Sequence, residues 1–382
     1  MNRLSYFILI SLIVLITTAS KLEFAAVFTR HGDRTPIKNF PDDGTEWFCQ
    51  ENELQVPSQN LDTSVSTIRL YRKMYLPNRN VLPGNCTYGQ LTTIGAKQHQ
   101  ELGKYFHSRY IEQYKILPEV LDRDTFWIRS TNYYRTLQSA EFFLYGLYPL
   151  ESRSDQEIIN IHTMDKEHEN MHYNPSGCPK LSVVRSEIYK SKLYLDWTTS
   201  ISPFLDKLKK IFNINDFDEH NLYNIYSNME ARKCHKKQIP DGLTEEIWQE
   251  LIVQAGNYAN LVFGNHTLNS LAIGTYIQEL VDLFDSKISG ELKHNFHLYS
   301  AHDSGIILVL SALHCFDNLP PEYASNLQFE LFNINDSHYI QLLYNHKPLV
   351  IPGCGETLCP YEAFKQIALK AVLPDPHKSC QI

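Results

Sequence analysis

An apolar run from Leu22 to Thr29, rich in Phe and Val and interrupted only by Glu23, passes directly into Arg30-His31-Gly32-Asp33-Arg34-Thr35-Pro36. The run reads as a buried strand. Gly32 and Pro36 force a turn at its end. Two arginines and a histidine therefore stand at the carboxyl end of a strand, where the ligand crevice of an open α/β sheet lies.

Two further strand ends deliver groups of the same kind. A run from Thr125 to Ile128 enters Arg129-Ser130-Thr131 and is followed by a helical segment from Arg135 to Tyr145. A run from Phe296 to Tyr299 enters Ser300-Ala301-His302-Asp303 and is followed by an apolar helix from Ile306 to Leu313. Between the first two strands, Leu91-Thr92-Thr93 opens a helical stretch reaching about Tyr114, with Ile94, Leu102, Phe106 and Tyr110 at helical spacing and Thr92 or Thr93 as cap. Strands alternating with helices at both ends of the chain imply an α/β fold, a mostly parallel central sheet flanked by helices. From about Leu150 to Ser289 the chain is polar, rich in Tyr and Asn and helical in pattern, so the expected organisation is an α/β catalytic core over 21–149 and 290–382 with an inserted, mainly helical cap domain over 150–289. Pro41 to Gly89 reads as a long polar excursion that Cys49 and Cys86 are placed to staple.

Residues 1–20 carry Arg3, an apolar run from Phe7 to Ile16 and the small residues Thr17, Thr18, Ala19 and Ser20, which reads as a cleaved signal peptide. No later segment offers the roughly 18–20 apolar residues of a membrane span. The eight cysteines show no zinc-ribbon spacing, so in an exported chain disulfides are expected rather than a metal. Sequons at Asn85, Asn265 and Asn335 fit export as glycosylation sites. With 35 basic against 43 acidic residues, a net charge of −8 and no basic cluster, the chain is not expected to bind nucleic acid.

The three strand ends suit a phosphate monoester. Displacement at phosphorus spreads charge over three equatorial oxygens, which calls for cations and fixed donors. Arg30, Arg34 and Arg135 supply charge that does not titrate in a fork that matches phosphate oxygens. Among them, His31 is held neutral by repulsion and is the natural nucleophile. Asp303 is placed to stay protonated beside a bound anion, to give that proton to the leaving alkoxide and then to activate water. His302 is a further phosphate donor. No metal and no cofactor is required.

The segment Arg30 to Pro36 is similar to the RHGxRxP signature of the histidine acid phosphatases, the branch of the histidine phosphatase superfamily that holds prostatic and lysosomal acid phosphatases and phytases. Gly89-Gln90-Leu91-Thr92 with Gly95, His99 to Gly103, Arg129-Ser130-Thr131 with Arg135-Thr136, Tyr299 to Asp303, and Leu349 to Pro360 resemble further family segments. The resemblance implies His31 as nucleophile, Asp303 as proton donor, and Arg30, Arg34, Arg135 and His302 as phosphate ligands. It also implies Cys178–Cys380 and Cys354–Cys359 disulfides. Asn326 stands near the position of Cys234's usual partner, which leaves Cys234 with Cys315 and Cys49 with Cys86. Ser304-Gly305 departs from the two threonines frequent in acid phosphatases, and the Pro41 to Gly89 excursion is longer than in the prostatic type.

Other motifs read more plainly. His168-Glu169-Asn170-Met171-His172 has the HExxH form, but Asn174-Pro175 ends any helix within a turn and no third histidine follows at metzincin spacing, so zinc is not expected. Arg129 reads as a structural ion-pair residue, His99 as a packing residue, and Asp33 as a fixture of its loop. The tyrosines of the middle segment, with Met164 and Met171, read as cap packing. The expected activity is that of a secreted acid phosphatase acting on a small phosphomonoester, in the extracellular medium or an endosomal or lysosomal lumen. The alternatives are a phytase, which shares the motif, and a regulatory component of an extracellular signalling complex that acts by binding. A homodimer or extracellular protein complex is compatible with either.

Overall fold

The apolar run from Leu22 to Thr29 lies within the strand that pairs with both the parallel and the antiparallel side of the sheet. In a computed structural model describing residues 20–40, 43–50, 55–56, 71–72, 82–149, 152, 158–214 and 217–382, β1 (Ser20–Arg30) is buried from Phe24 to its end. Apart from Ser20, the expected signal peptide lies outside the described residues, as does most of the Pro41 to Gly89 excursion, of which β2 (Gln55–Val56) and β3 (Tyr71–Arg72) form a short ladder. β4 (Phe126–Ser130), β5 (Phe296–Ala301), β6 (Asn326–Ile334), β7 (Ser337–Tyr344) and β8 (Lys347–Pro348) complete the sheet in the order β4-β5-β1-β6-β7-β8, and β9 (Leu358–Pro360) pairs with β7.

The sheet is mixed. β4, β5 and β1 run parallel, while β6 to β9 pair antiparallel, starting with β6 against β1. The antiparallel side follows from a tight turn: Asn335 and Asp336 both have positive φ, 51° and 62°, as a two-residue hairpin loop requires. The parallel side needs crossovers, and helices supply them.

One face of the sheet is covered by α1 (Thr93–Phe106) and α2 (Tyr134–Leu147), whose Phe106 and Phe143 pack with Ala25, Val27, Ile128 and Phe296. The other face holds Phe24, Ala26 and Phe28, so β1 alternates between two cores. Leu22 belongs with the odd-numbered set because the pairing of β1 with β6 slips between Leu22 and Phe24. Of the remaining helices, α3 (Lys180–Tyr189), α7 (His266–Ile288), α8 (Asp303–Ala312) and α9 (Tyr361–Ala368) share this second core. α4 (Lys192–Phe212), α5 (Leu222–Cys234) and α6 (Glu245–Phe263) build a further cluster around Leu208, Leu222, Met229 and Leu251, while Tyr194 of α4 and Val262 of α6 reach into the second core.

Disulfides join Cys49 to Cys86, Cys178 to Cys380 and Cys354 to Cys359. The expected Cys234–Cys315 bond is absent and both residues are free thiols. Cys234 ends α5 beside Asp33, under the first loop, whereas Cys315 lies past the end of α8 with its sulfur 3.3 Å from the Leu313 carbonyl. The two are anchored to different parts of the fold. Asn335 is exposed in its turn, Asn265 caps α7 by accepting from the Leu268 N–H at 3.1 Å, and Asn85 bonds both backbone groups of Cys49. Among the described residues no helix is long and apolar enough to cross a membrane.

Several buried histidines make the fold sensitive to acid. Burial pushes His99, whose Nε2–H donates to the Arg30 carbonyl at 3.0 Å, down from 6.5 to about 4. It pushes His297 down to about 3, with His294 and His162 adding repulsion. In both cases the unfolded chain takes up protons first as the pH falls, so their share of stability is complete above 6.5 and is lost progressively down to about 4 for His99 and about 3 for His297. Thermal melts of the ligand-free protein are expected to show a falling Tm across that window. His297→Phe, which keeps the aromatic packing on Phe24 and Trp127, should flatten the slope. A Tm independent of pH there would contradict the assignment.

Candidate active site

The carboxyl ends of β1, β4 and β5 converge because β5 lies between the other two. The His31 N–H donates to the Ala301 carbonyl at 3.0 Å, and the Thr131 N–H to the Ser300 carbonyl at 3.1 Å, so the three loops start in register. They open into a cavity of about 340 Å³ that His31, Arg34, Arg135, His302 and Asp303 all line.

The loop after β1 is held against the start of α1. A Cβ on Gly32 would lie 2.4 Å from the Gly95 carbonyl oxygen, and one on Gly95 would lie 2.2 Å from that of Asp33, so neither position accepts a side chain. The Asp33 carbonyl accepts from the Thr92 N–H at 3.0 Å, and its carboxylate bonds the Thr92 hydroxyl and His235 Nε2. The Thr35 hydroxyl donates to the Thr87 carbonyl at 2.6 Å.

That frame fixes the His31 ring. Its Nδ1 lies 2.8 Å from the Gly32 carbonyl, which can only accept, so Nδ1 carries the hydrogen and Nε2 keeps a free lone pair. Burial, with Arg135, Arg34, Arg30 and His302 around it, holds His31 well below the usual histidine range. The ring remains a neutral base in mildly acidic solution.

The three arginines differ. Arg30 is fully buried, forms a two-pronged pair with Glu230 at 3.1 and 3.3 Å, donates to the Pro321 carbonyl, and packs over Tyr323 with 4.1 Å to the ring centre. Its charge is compensated within the protein. Arg34 reaches only the Thr35 carbonyl at 3.1 Å and the Ser227 hydroxyl at 2.8 Å. Arg135 contacts His302 Nδ1 at 3.5 Å and packs over Tyr133. Among the described residues neither has a carboxylate within ion-pair distance. Burial and the neighbouring Arg34 push Arg135 down to about 10. Two guanidinium groups thus point into a cavity whose one lining carboxylate, Asp303, is ion-paired with neither of them.

On β5's loop, an arginine cannot accept, so His302 Nδ1 takes the bond from Arg135 and its Nε2–H donates to the Thr131 hydroxyl at 3.0 Å. The next residue, Asp303, accepts from the Ser304 N–H at 2.7 Å and from the Tyr223 hydroxyl at 3.1 Å, and lies 3.6 Å from Arg30. Burial pushes this carboxyl up, but Arg30 and Arg34 outweigh it and hold Asp303 below the usual range. In the ligand-free site the nearby cations keep Asp303 ionised; the expectation of a protonated Asp303 concerns the site with an anion bound.

Three site residues come from α5, where the sequence pointed only to packing. Tyr223, Ser227 and Glu230 stand at i, i+4 and i+7 on one face, bonded to Asp303, Arg34 and Arg30 respectively. Leu222, Ile225 and Met229 occupy the opposite face. The polar stripe was the available signal. Arg129 pairs with Glu169 at 2.9 Å and Glu279 at 3.0 Å, so the HExxH glutamate is bound to an arginine, and His168 is exposed.

The family model described as histidine phosphatase superfamily (branch 2) matches residues 21–345. The chain is 30% identical over 375 residues to Counting factor 60 of Dictyostelium discoideum, covering 95% of this chain and 89% of that one. It is 27% identical over 388 residues to prostatic acid phosphatase of Rattus norvegicus, covering 97% and 92%. The fold superposes on the Citrobacter braakii phytase with a TM-score of 0.64 at 15% identity, covering 95% of this chain and 100% of that one.

A buried cation without a partner costs stability until an anion meets it. Arg135→Met is therefore expected to raise the stability of the ligand-free protein by about 1–2 kcal/mol, read as the urea midpoint. The same variant should lose the rise in Tm that inorganic phosphate gives the wild type. A destabilised variant that still responds to phosphate would contradict the reading.

Proposed function

The chain belongs to branch 2 of the histidine phosphatase superfamily, and from that premise we propose that it is a secreted acid phosphatase that hydrolyses phosphate monoesters through a phosphohistidine on His31. The observation that carries the reading is the free Nε2 lone pair of His31 beside Arg34 and Arg135, neither of which has an ion-pair partner among the described residues. A phosphoryl group supplies the counter-charge those arginines lack and puts phosphorus within reach of the nucleophile.

Nε2 attacks phosphorus as the ester P–O bond breaks, while Arg34 and Arg135, with the loop donors, take the charge on the equatorial oxygens. The leaving oxygen receives a proton from Asp303. Since Arg30 and Arg34 keep that carboxyl ionised in the free site, the proton arrives with the substrate. A phosphate monoester loses its second proton near a pKa of about 6 and below that enters as a monoanion, which can pass its hydrogen to Asp303. In the second step Asp303, again a carboxylate, takes a proton from water, the water oxygen attacks phosphorus, and the N–P bond breaks to give the neutral imidazole and phosphate, which takes the proton back from Asp303 and leaves as the monoanion. Arg30, pinned by Glu230, orients the loop and Asp303, and His302 supports Arg135. Secretion is supported by the leader pattern and by three disulfides, which persist in oxidising compartments.

A second reading rests on the 30% identity to a protein named as a counting factor: the same site used to bind a phosphorylated partner in an extracellular complex, with little turnover. Hydrolysis of p-nitrophenyl phosphate across pH 3–8 separates the two. Turnover that declines above a pH of about 6, survives EDTA and drops by about 10³-fold or more in folded His31→Ala supports the enzyme. A folded wild type that binds phosphate without turnover supports the second reading. Asp303→Asn is expected to slow alkyl esters more than aryl esters, because only alkoxides need full protonation; equal slowing would remove Asp303 from the proton-donor role.

A further inference from the structure

The second histidine of the HExxH segment has no role in the chemistry above, yet it lines the same cavity. His172 Nδ1 lies 2.9 Å from the Tyr173 carbonyl, so Nδ1 carries the hydrogen and Nε2 the lone pair. That Nε2 is buried and has no hydrogen-bond partner. The ring stands edge-on to His302 at 5.1 Å between centres, and His302 stands 5.6 Å from His31, so the three histidines form a row leading away from the nucleophile.

The placement is built in from two sides. Glu169 accepts from the Asn170 and Met171 N–H groups at 3.0 Å each and from Arg129 at 2.9 Å, which winds the segment tightly and ties it to β4. Asn170 donates to Glu279 on α7 at 2.7 Å. From the other side, the Met171 carbonyl packs against Gly305, where a Cβ would lie 2.3 Å from it. Gly305 belongs to the Ser304-Gly305 pair that departs from the family's threonines. Its missing side chain lets the segment close on the first turn of α8, directly beside Asp303.

Beyond the phosphate ligands the wall carries Tyr133, Tyr258, Phe263 and His220, and Arg34 and Arg135 are the only Lys or Arg side chains among the lining residues. A leaving group carrying further phosphates would find no permanent positive charge there beyond the two arginines that hold the first phosphate, and His220 lies beside Glu219. A buried acceptor with no donor has an unmet hydrogen bond that a hydroxyl can satisfy.

Resting on the phosphatase reading of this site, we propose that His172 is a specificity-determining residue whose Nε2 accepts a hydrogen bond from a hydroxyl on the departing alcohol, so that the enzyme selects monophosphates of neutral, hydroxylated alcohols over polyphosphates. Burial, outweighing the bond to Tyr173 and the charges of Glu169 and Asp303, holds His172 below the ordinary 6.5. The acceptor form is therefore present in an assay at pH 6.5.

The test uses two esters of similar shape, glycerol 3-phosphate and n-propyl phosphate. One hydrogen bond of ordinary strength corresponds to about a tenfold preference in kcat/KM for the glycerol ester. His172→Leu should bring the ratio close to one, and His172→Gln, which offers a carbonyl acceptor, should restore part of it. A wild type without the preference, or a ratio unchanged in His172→Leu, overturns the proposal. Calorimetric binding of the same two esters to His31→Ala reads the ratio without turnover. A preference in binding from a protein that hydrolyses neither ester would sink the phosphatase reading and leave the His172 contact standing; equal binding would sink the contact itself.

Discussion

The site depends on an imbalance of charge maintained out of water. Arg30 and Arg34 are buried and Arg135 is half-buried, past the ends of β1 and β4, and among the described residues only Arg30 has carboxylates within ion-pair distance. Glu230 neutralises Arg30 and leaves Arg34 and Arg135 facing the cavity with hydroxyl, carbonyl and imidazole groups in direct contact and Asp303 across it. Burial, with the positive charge around them, keeps His31 and His302 neutral, and the same charge keeps Asp303 ionised. One feature thus sets the protonation of the nucleophile, the acid and the phosphate ligands together, and it is relieved only when an anion enters.

The fold carries that strain by stitching the loop in place. The contact of Gly32 with Gly95, the bonds of Asp33 to Thr92 and His235, and the His99 bond to the Arg30 carbonyl leave the segment after β1 little freedom. α5 completes the enclosure with Tyr223, Ser227 and Glu230, so a helix outside the sheet's own core supplies partners to the acid and to two of the arginines. Preorganisation here means that reacting groups meet fixed dipoles and charges rather than solvent that must rearrange.

What the sequence disclosed follows from how local each signal is. The three strand ends were legible because each apolar run stops abruptly at charged or polar residues, and the turn residues Gly32 and Pro36 mark the first of them. The antiparallel side of the sheet was not, since the sequence reading placed no strands at β6 and β7, whose direction is fixed by the Asn335-Asp336 turn. Tyr223, Ser227 and Glu230 were hidden in a segment whose amphipathic pattern announces packing without saying what its polar face meets. The Cys234–Cys315 pairing failed because elimination among cysteines carries no geometry, and these two lie in separate parts of the fold. Asp303 was placed correctly at the end of β5, but its charge state depends on Arg30 and Arg34, which only the three-dimensional arrangement brings near. His172 was visible only as half of a zinc motif, and its actual neighbours, His302 and Gly305's helix, are distant in sequence.

The central claim is that His31 Nε2 bonds covalently to phosphorus. Enzyme stopped with alkali during turnover, where phosphohistidine survives, and then analysed by mass spectrometry reads this directly. The account predicts one added phosphoryl group, confined to the peptide that contains His31, that disappears when substrate is exhausted. An unmodified chain during steady turnover, with inversion of configuration at a chiral phosphorus, would mean that water attacks directly and would contradict it.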